Sequence, residues 1–219
     1  MNADSNRPPL PSGARQTAPE FVSRDPDSPA FWDERFERGF MPWDQAGVPP
    51  AFKAFAARHA EGAVLIPGCG SAWEALALGQ EGRQVRAIDF SPNAVATARK
   101  QLGAYASVVE QADFFAYEPP FTPAWIYERA FLCALPKARW GDYAQRMAAL
   151  LPAGALLAGF YFLGATPKGP PFGIEREELE ALLVPHFELI EDEAVADSIP
   201  VFAGRERWMT WRRRGVAAA

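Results

Sequence analysis

Short apolar runs alternate with helical segments from residue 63 onward, and this alternation restricts the fold more than any other feature of the sequence. The run 63–66 leads into Pro-Gly-Cys-Gly and an expected helix over 71–81, and the run 84–88 leads into Asp89. Further strands are expected over 107–111, 125–128, 155–162, 187–195 and 207–212, and further helices over 50–60, 92–102 with Ser91 as its N-cap, 139–151 and 176–183. Strands that alternate with helices form parallel sheets, and right-handed crossovers place helices on both faces. The pattern predicts a doubly wound α/β domain.

The composition suits a single domain of this kind. The chain has 219 residues, of which 49% are hydrophobic and 22% charged, as in ordinary globular proteins. Residues 1–27 are rich in Pro, Ser, Asn and Asp, which do not build a packed face, so they are predicted to form a disordered or flexible leader. The domain itself is predicted over 28–214.

The residue inventory excludes several classes of protein. A net charge of −5 argues against binding of nucleic acid through a basic surface. The two cysteines, Cys69 and Cys133, cannot form a disulfide framework, and with only His59 and His186 no metal site is expected. The longest apolar run, 155–165, is about half the roughly twenty residues of a membrane helix, and no secretory signal is visible. These features predict a soluble, cytoplasmic protein.

Candidate binding residues follow the first strands. Gly68, Cys69 and Gly70 come after the first strand, where glycine allows a sharp turn and a close approach of the backbone to a ligand. Asp89 ends the second strand, where an acid typically accepts hydrogen bonds from ribose hydroxyls. In a parallel sheet both positions lie at the same edge, so they indicate a nucleotide-type cofactor. A tight turn followed by a helix-capping acid is the alternative.

The residues around this glycine turn narrow the class of cofactor. Position 73 is Trp, where a dinucleotide fingerprint requires a small residue, so a nucleoside without phosphates is favoured. Asp113 and Phe114, after the third strand, suit the amino group and the face of an adenine. S-adenosylmethionine has the required ribose and adenine, together with a sulfonium cation. Such a cation is attracted to aromatic faces.

Aromatic residues are concentrated in the segment 28–47, which precedes the first strand. Trp32, Phe36 and Trp43 could surround a sulfonium if this segment folds over the strand ends as a lid. Alternatively, these aromatic residues only pack a leading helix onto the domain.

Over about 30–212, the sequence resembles the thiopurine S-methyltransferase superfamily, especially its thiol and halide methyltransferase branch. The motifs that carry the resemblance are FWDERFERGFMPWDQAG (31–47), VLIPGCGSAWEA (64–75), VRAIDFS (85–91), ADFF (112–115), YERAFLCALP (127–136) and GPPFGIEREELEALL (169–183). The resemblance implies a class I methyltransferase fold with a seven-stranded sheet and S-adenosylmethionine as the methyl donor. It also implies a small-molecule substrate, a monomer, and a role in detoxification.

The resemblance implies a role for individual residues as well. The cofactor would be lined by Trp32, Phe36, Trp43, Gly68, Cys69, Gly70, Asp89, Phe90, Asp113, Phe114 and Arg129. Phe36 stands where the family commonly has a second Trp. Arg129 matches an arginine of the thiopurine enzymes near cofactor and substrate, where the halide branch commonly has an aromatic residue. The chain therefore combines features of both branches, and the acceptor stays open.

Methyl transfer to a soft anion such as a thiolate, halide or metalloid needs alignment more than a base, which agrees with the absence of an evident catalytic dyad. Arg129 is the candidate catalytic residue because it could stabilise a thiolate. A plain ion pair with Glu118 or Glu128 is the alternative. Both histidines and both cysteines are expected to be structural or solvated.

Three other functions stay open. An O- or N-methyltransferase would need a base near the methyl group, and none is evident. A nicotinamide-dependent oxidoreductase is disfavoured by Trp73 and by Asp113-Phe114, whereas nothing in the sequence excludes a non-catalytic cofactor-binding module. The loop 169–172, with Tyr161, Phe162 and Phe172, could form an aromatic wall of the acceptor pocket, unless Phe172 packs inward.

Overall fold

A computed structural model of the chain describes residues 19–215, which contain a seven-stranded sheet. The strands are β1 (Ala63–Pro67), β2 (Val85–Asp89), β3 (Val109–Gln111), β4 (Pro123–Arg129), β5 (Leu156–Phe162), β6 (Phe187–Ala194) and β7 (Glu206–Arg213). Their order across the sheet is β3-β2-β1-β4-β5-β7-β6. Strands β1 to β5 pair in parallel, and β7 runs antiparallel between β5 and β6. This architecture confirms the predicted α/β class.

Helices cover both faces of the sheet. They are α1 (Pro29–Glu37), α2 (Pro50–Arg58), α3 (Trp73–Gln80), α4 (Pro92–Leu102), α5 (Trp140–Leu150) and α6 (Arg176–Leu183). One core lies between the sheet and α5 with α6, and a second lies between the sheet and α2, α3 and α4. Strand β5 is buried along its whole length, as expected for a central strand with helices on both sides.

The predicted elements differ from the structure mainly at their ends. The third strand begins at Val109 rather than at residue 107, because residues 103–108 wind into a 3-10 helix. Helix α3 begins at Trp73 because Ala72 adopts a left-handed backbone conformation with φ of 58°, which a right-handed helix cannot include. Helix α4 begins as predicted, since the Ser91 hydroxyl accepts a hydrogen bond from the Ala94 amide at 3.0 Å.

The strand order sets the place where a ligand can bind. The chain runs outward from β1 to β2 and β3, then returns to the other side of β1 with β4. The connections after β1 and β4 therefore leave the sheet in opposite directions and open a crevice at the carboxyl ends of these strands.

Part of the predicted leader is visible at this edge. Residues 19–27 form no helix or strand, but the amides of Val22 and Ser23 donate to the Glu34 carboxylate of α1, and the Phe21 ring lies 5.4 Å from that of Phe40. Residues 1–18 of the predicted leader lie outside the described residues.

Between residues 19 and 215, the structure contains no helix with the length and apolarity needed to cross a membrane.

Candidate cofactor and acceptor site

A cavity of about 830 Å³ opens at the carboxyl ends of β1, β2 and β4, beneath α1 and the segment that follows it. Every residue that the sequence analysis assigned to the cofactor, including the candidate catalytic Arg129, lines this cavity. They are Trp32, Phe36, Trp43, Gly68, Cys69, Gly70, Asp89, Phe90, Asp113, Phe114 and Arg129. The fold thus brings together residues that are far apart in the sequence, and their contact with a cofactor stays a prediction.

The turn after β1 requires glycine at two positions. Gly68 and Gly70 have φ of +59° and +51°, a left-handed conformation that other residues rarely adopt. A Cβ atom at position 68 would also lie 2.4 Å from Cδ2 of Phe131. The Cys69 amide donates to the Ile88 carbonyl at 3.0 Å, which fixes the turn against β2. Because the two glycines have no side chains, the backbone of this turn is directly accessible from the cavity.

Asp89 connects the ends of the first two strands. Its Oδ2 accepts a hydrogen bond from the Gly70 amide at 3.1 Å, and its Oδ1 accepts one from the Ser91 amide at 3.0 Å. Burial raises the pKa of this carboxyl to about 6, although the two amides counteract the rise and Asp33 adds to it. The carboxylate faces the cavity with unused acceptor capacity, which suits ligand hydroxyls.

The cavity wall after β3 is aromatic and carries one acid. The Asp113 carboxylate accepts a hydrogen bond from the Phe115 amide at 3.0 Å, which leaves its other oxygen unengaged by protein in the described residues. The Phe114 ring packs edge-on against those of Phe115 and Phe131, at 5.3 and 5.2 Å between centroids. Phe90, which follows β2, also lines the cavity.

The lid aromatics pack against one another over the opening. The rings of Trp32 and Trp43 meet edge-on with centroids 5.5 Å apart, and Phe36 lies 6.3 Å from Trp43. Trp32 also donates its indole N–H to the carbonyl of Pro26 at 2.9 Å. These rings pack with their neighbours and also line the cavity, and their contact with a sulfonium stays a prediction.

Two aspartates that the sequence analysis did not select hold the lid in place. Asp44 accepts hydrogen bonds from the Ser71 hydroxyl and, at 3.0 Å, from the Trp73 indole N–H. Asp33 on α1 accepts from the Ser91 hydroxyl at 2.6 Å and the Asn93 amide at 3.0 Å. Asp44 entered the sequence analysis only within the motif 31–47, because its hydrogen-bond partners are distant in sequence.

Arg129 ends β4 and reaches the cavity beside a buried acid. Its Nε lies 3.9 Å from Oε1 of Glu206 on β7, and its guanidinium lies 4.6 Å from the centroid of the Phe160 ring. The predicted alternative partners were wrong, since Glu128 accepts from the amides of Phe131 and Leu132. Glu118 pairs instead with Arg146. Sequence proximity failed here because β7 returns to the sheet next to β5.

The predicted aromatic wall after β5 differs from the structure. Tyr161 and Phe162 are buried in the cores, and Phe172 packs against the core rather than lining the cavity. The backbone-rich segment 169–171 forms that wall, and Val201 and Phe202, which the sequence analysis did not select, extend it. The side of the cavity formed by 169–171, Val201 and Phe202 is therefore mainly apolar.

The cysteines and histidines are not suited to catalysis. Burial raises the pKa of the Cys69 and Cys133 thiols well above the ordinary value, so both are protonated at neutral pH. His59 follows α2 and His186 precedes β6, and neither lines the cavity.

The lining fits a cationic nucleoside without phosphates. Asp89 and Asp113 offer acceptors for hydroxyl and amino groups, and the glycine turn leaves backbone room. The indole rings offer faces for a sulfonium. A sheet of this strand order, with such a crevice at the carboxyl ends of its first strands, is that of a class I S-adenosylmethionine-dependent methyltransferase.

Comparison with known families agrees with this class. Residues 27–214 match the family described as Thiopurine S-methyltransferase (TPMT), so the chain belongs to this family. Its methyl donor is accordingly S-adenosylmethionine, and the nicotinamide alternative is set aside.

Individual relatives come from both predicted branches. A probable thiol methyltransferase 2 from Arabidopsis thaliana is 29% identical over 167 residues, which cover 73% of this chain and 74% of that protein. Thiocyanate methyltransferase 1 from the same plant is 28% identical, covering 83% and 84%. A thiopurine S-methyltransferase from Pseudomonas fluorescens (strain Pf0-1) is 29% identical, covering 76% and 88%.

A solved structure supports the fold independently. The 1,6-didemethyltoxoflavin-N1-methyltransferase of Burkholderia thailandensis, with bound 1,6-didemethyltoxoflavin and S-adenosylhomocysteine, matches with a TM-score of 0.67 at 19% identity. The match covers 85% of this chain and 87% of that one. It confirms the class I methyltransferase fold.

The pKa of Asp89 yields a prediction for cofactor binding. We expect the affinity for S-adenosylhomocysteine to fall as the pH decreases through about 6, because a protonated Asp89 accepts ribose hydroxyls less well. Isothermal titration calorimetry at several pH values measures this dependence. Asp89→Asn should bind weakly with a flat profile, whereas the surface variant Glu177→Gln should behave like the wild type. A constant wild-type affinity across this range would contradict the assignment.

The lid contacts yield a second prediction. Asp44→Ala removes the acceptor of two hydrogen bonds between the lid and the start of α3, so S-adenosylhomocysteine should bind roughly tenfold more weakly, as for loss of a charged hydrogen bond. Calorimetry measures the change, and Glu37→Ala on the exposed side of α1 is the matched control. If both variants bound S-adenosylhomocysteine with equal affinity, the lid contacts of Asp44 would not contribute to cofactor binding.

Proposed function

We propose that the chain methylates a small soft nucleophile, such as a thiol, thiopurine, halide or metalloid anion, that enters the cavity between Arg129 and the lid. The single observation that carries this proposal is the mainly apolar side of the cavity formed by 169–171, Val201 and Phe202, which we take as the acceptor side, together with the Arg129 guanidinium that lines the same cavity. No histidine lines the cavity among the described residues, as expected where the acceptor needs little basic assistance. The family and the names of the relatives support the same class of acceptor.

Alignment of the two reactants would be the main contribution of the protein. S-adenosylmethionine supplies a methyl group on a positively charged sulfur. Asp89 and the wall after β3 would hold the nucleoside, and the glycine turn 68–70 would flank the methionine portion, so that the methyl group points toward the Arg129 side. The lid rings Trp32 and Trp43 would exclude water and face the sulfur. Fixing both reactants in line can supply much of the rate enhancement of such a displacement.

Arg129 would orient the acceptor and stabilise its anionic form. An ordinary thiol has a pKa near 8.5, so a nearby guanidinium increases the thiolate fraction at neutral pH. The arginine cannot swing freely, because Glu206 lies on one side and the Phe160 ring on another. A held guanidinium presents its N–H groups in a defined direction, which favours one approach of the nucleophile.

The cytoplasmic location, the role in detoxification, the monomeric state and the absence of nucleic-acid partners stay predictions. The expected absence of macromolecular partners accords with this proposal, since methylation of a small soft nucleophile needs none.

An acceptor panel tests the proposed reaction. Purified protein is incubated with methyl-labelled S-adenosylmethionine and with aliphatic and aromatic thiols, a thiopurine, iodide and selenite, each beside an alcohol or amine of similar shape where one exists. We expect label to enter sulfur, selenium or halide products and not the oxygen and nitrogen analogues. Preferential methylation of the alcohols or amines would indicate the O- or N-methyltransferase alternative. Donor binding without any transfer would favour the non-catalytic module.

Replacement of Arg129 tests its catalytic role. With a thiol that the panel identifies, Arg129→Ala should lower kcat roughly ten- to hundredfold, the range for a lost charged hydrogen bond. The affinity for S-adenosylhomocysteine should change less, because the nucleoside is held elsewhere. Arg212→Ala, which removes an exposed arginine of β7, is the matched control. An unchanged rate would remove Arg129 from the reaction.

A further inference from the structure

Glu74 places a carboxyl group next to the glycine turn, and the function derived above does not use it. The residue lies in the first turn of α3, and its side chain lines the cavity. The Tyr127 hydroxyl donates a hydrogen bond to its Oε1 at 2.9 Å. Tyr127 itself is buried and held by the Phe52 ring, with centroids 4.6 Å apart. The carboxyl group is therefore held in a defined orientation by the end of β4.

This carboxyl group has no cationic partner among the described residues. No Lys, Arg or His nitrogen of residues 19–215 lies within 4.0 Å of it. Arg129 is close enough to affect its pKa, but that guanidinium is paired with Glu206. Burial raises the pKa of Glu74, and the neighbouring Asp44 contributes to the rise. Burial of a carboxylate beside another acid is energetically unfavourable unless a cation binds next to it.

The bound cofactor brings two cations of different chemistry into this cavity. Its sulfonium has no N–H or O–H to donate, so it suits the faces of the lid rings. Its α-ammonium has three N–H donors and needs acceptor oxygens. Glu74 offers such oxygens beside the turn 68–70, which is expected to flank the methionine portion of the cofactor.

We propose that Glu74, oriented by Tyr127, binds the α-ammonium group of the amino-acid end of S-adenosylmethionine. This inference rests on the proposed function, because it concerns the donor of that reaction. Glu74 is then a binding residue, and Tyr127 is a positioning residue that acts through it. An ammonium at this place neutralises the charge of the Glu74 carboxylate and fixes the amino-acid end of the cofactor. The direction of the sulfur–methyl bond is fixed with it.

Three ligands separate the amino-acid end from the nucleoside. S-adenosylhomocysteine has the ammonium, its deaminated analogue keeps the carboxylate but lacks the ammonium, and 5′-methylthioadenosine lacks the whole amino-acid end. Calorimetry with each ligand is performed on the wild type, Glu74→Gln and Tyr127→Phe. Glu81→Gln, at the exposed far end of the same helix, is the matched control. Gln keeps an acceptor for the Tyr127 hydroxyl, so the fold should be retained.

We expect Glu74→Gln to bind S-adenosylhomocysteine roughly ten- to hundredfold more weakly, as for loss of a charged hydrogen bond, and to bind the other two ligands like the wild type. Tyr127→Phe should show a smaller loss with the same selectivity, which keeps the proposal testable if Glu74→Gln fails to fold. Glu81→Gln should bind all three normally.

Two outcomes would overturn this inference while leaving the proposed function intact. An equal loss for all three ligands would mean that Glu74 only shapes the cavity. Normal binding combined with a thiol-methylation rate that recovers at higher pH would make Glu74 a proton acceptor instead. A wild type that binds none of the three ligands would overturn the proposed function and this inference together.

Discussion

The site depends on one carboxylate that joins the ends of two adjacent strands. Asp89 accepts a hydrogen bond from Gly70 after β1 and another from Ser91 after β2, so the two loops cannot move independently. Both loops also border the cavity, and α4 starts from the second one. Burying an acid is unfavourable, as the raised pKa of Asp89 reflects, and the two amide donors partly offset this cost. The Asp89 carboxylate oxygens still face the cavity, where a ligand hydroxyl can donate the hydrogen bonds that water would otherwise donate.

The lid is attached to this edge by the same kind of interaction. Asp33 joins α1 to the start of α4, and Asp44 joins the segment after α1 to the start of α3. Each aspartate accepts two donors, so, in addition to the buried Phe31 and Phe36 of α1, the lid is held by charged hydrogen bonds. Such contacts are strong when dry and exchange readily with water. Trp32 and Trp43 lie on the cavity side of this lid.

The local pattern of the sequence predicted most of the fold, because burial and turn chemistry are short-range signals. The run before Gly68 and the Ser91-Pro92 start of α4 are examples, and the glycine turn and the acid of β2 followed from the same signals. Contacts between distant segments were not predictable in this way. Glu206 reaches Arg129 only because β7 enters the sheet antiparallel beside β5, which no spacing in the sequence records. The Asp44 contacts with α3 depend likewise on the position of the lid in the folded chain.

The distribution of charge explains how one cavity can hold a cation and a nucleophile at once. In the proposed arrangement Asp89, Asp113 and Glu74 face the cofactor and Arg129 faces the acceptor, and Arg24, Arg35 and Arg139 also line the cavity. Glu206 pairs with Arg129 and reduces the net positive charge that this arginine brings to the cavity wall. A strongly positive wall would repel the sulfonium of the donor, and an unpaired guanidinium in an apolar wall would be costly to bury. Arg129 can therefore donate its N–H groups to an incoming anion at short range. At longer range the Glu206 carboxylate offsets the positive charge of Arg129, so this arginine repels the cationic donor less.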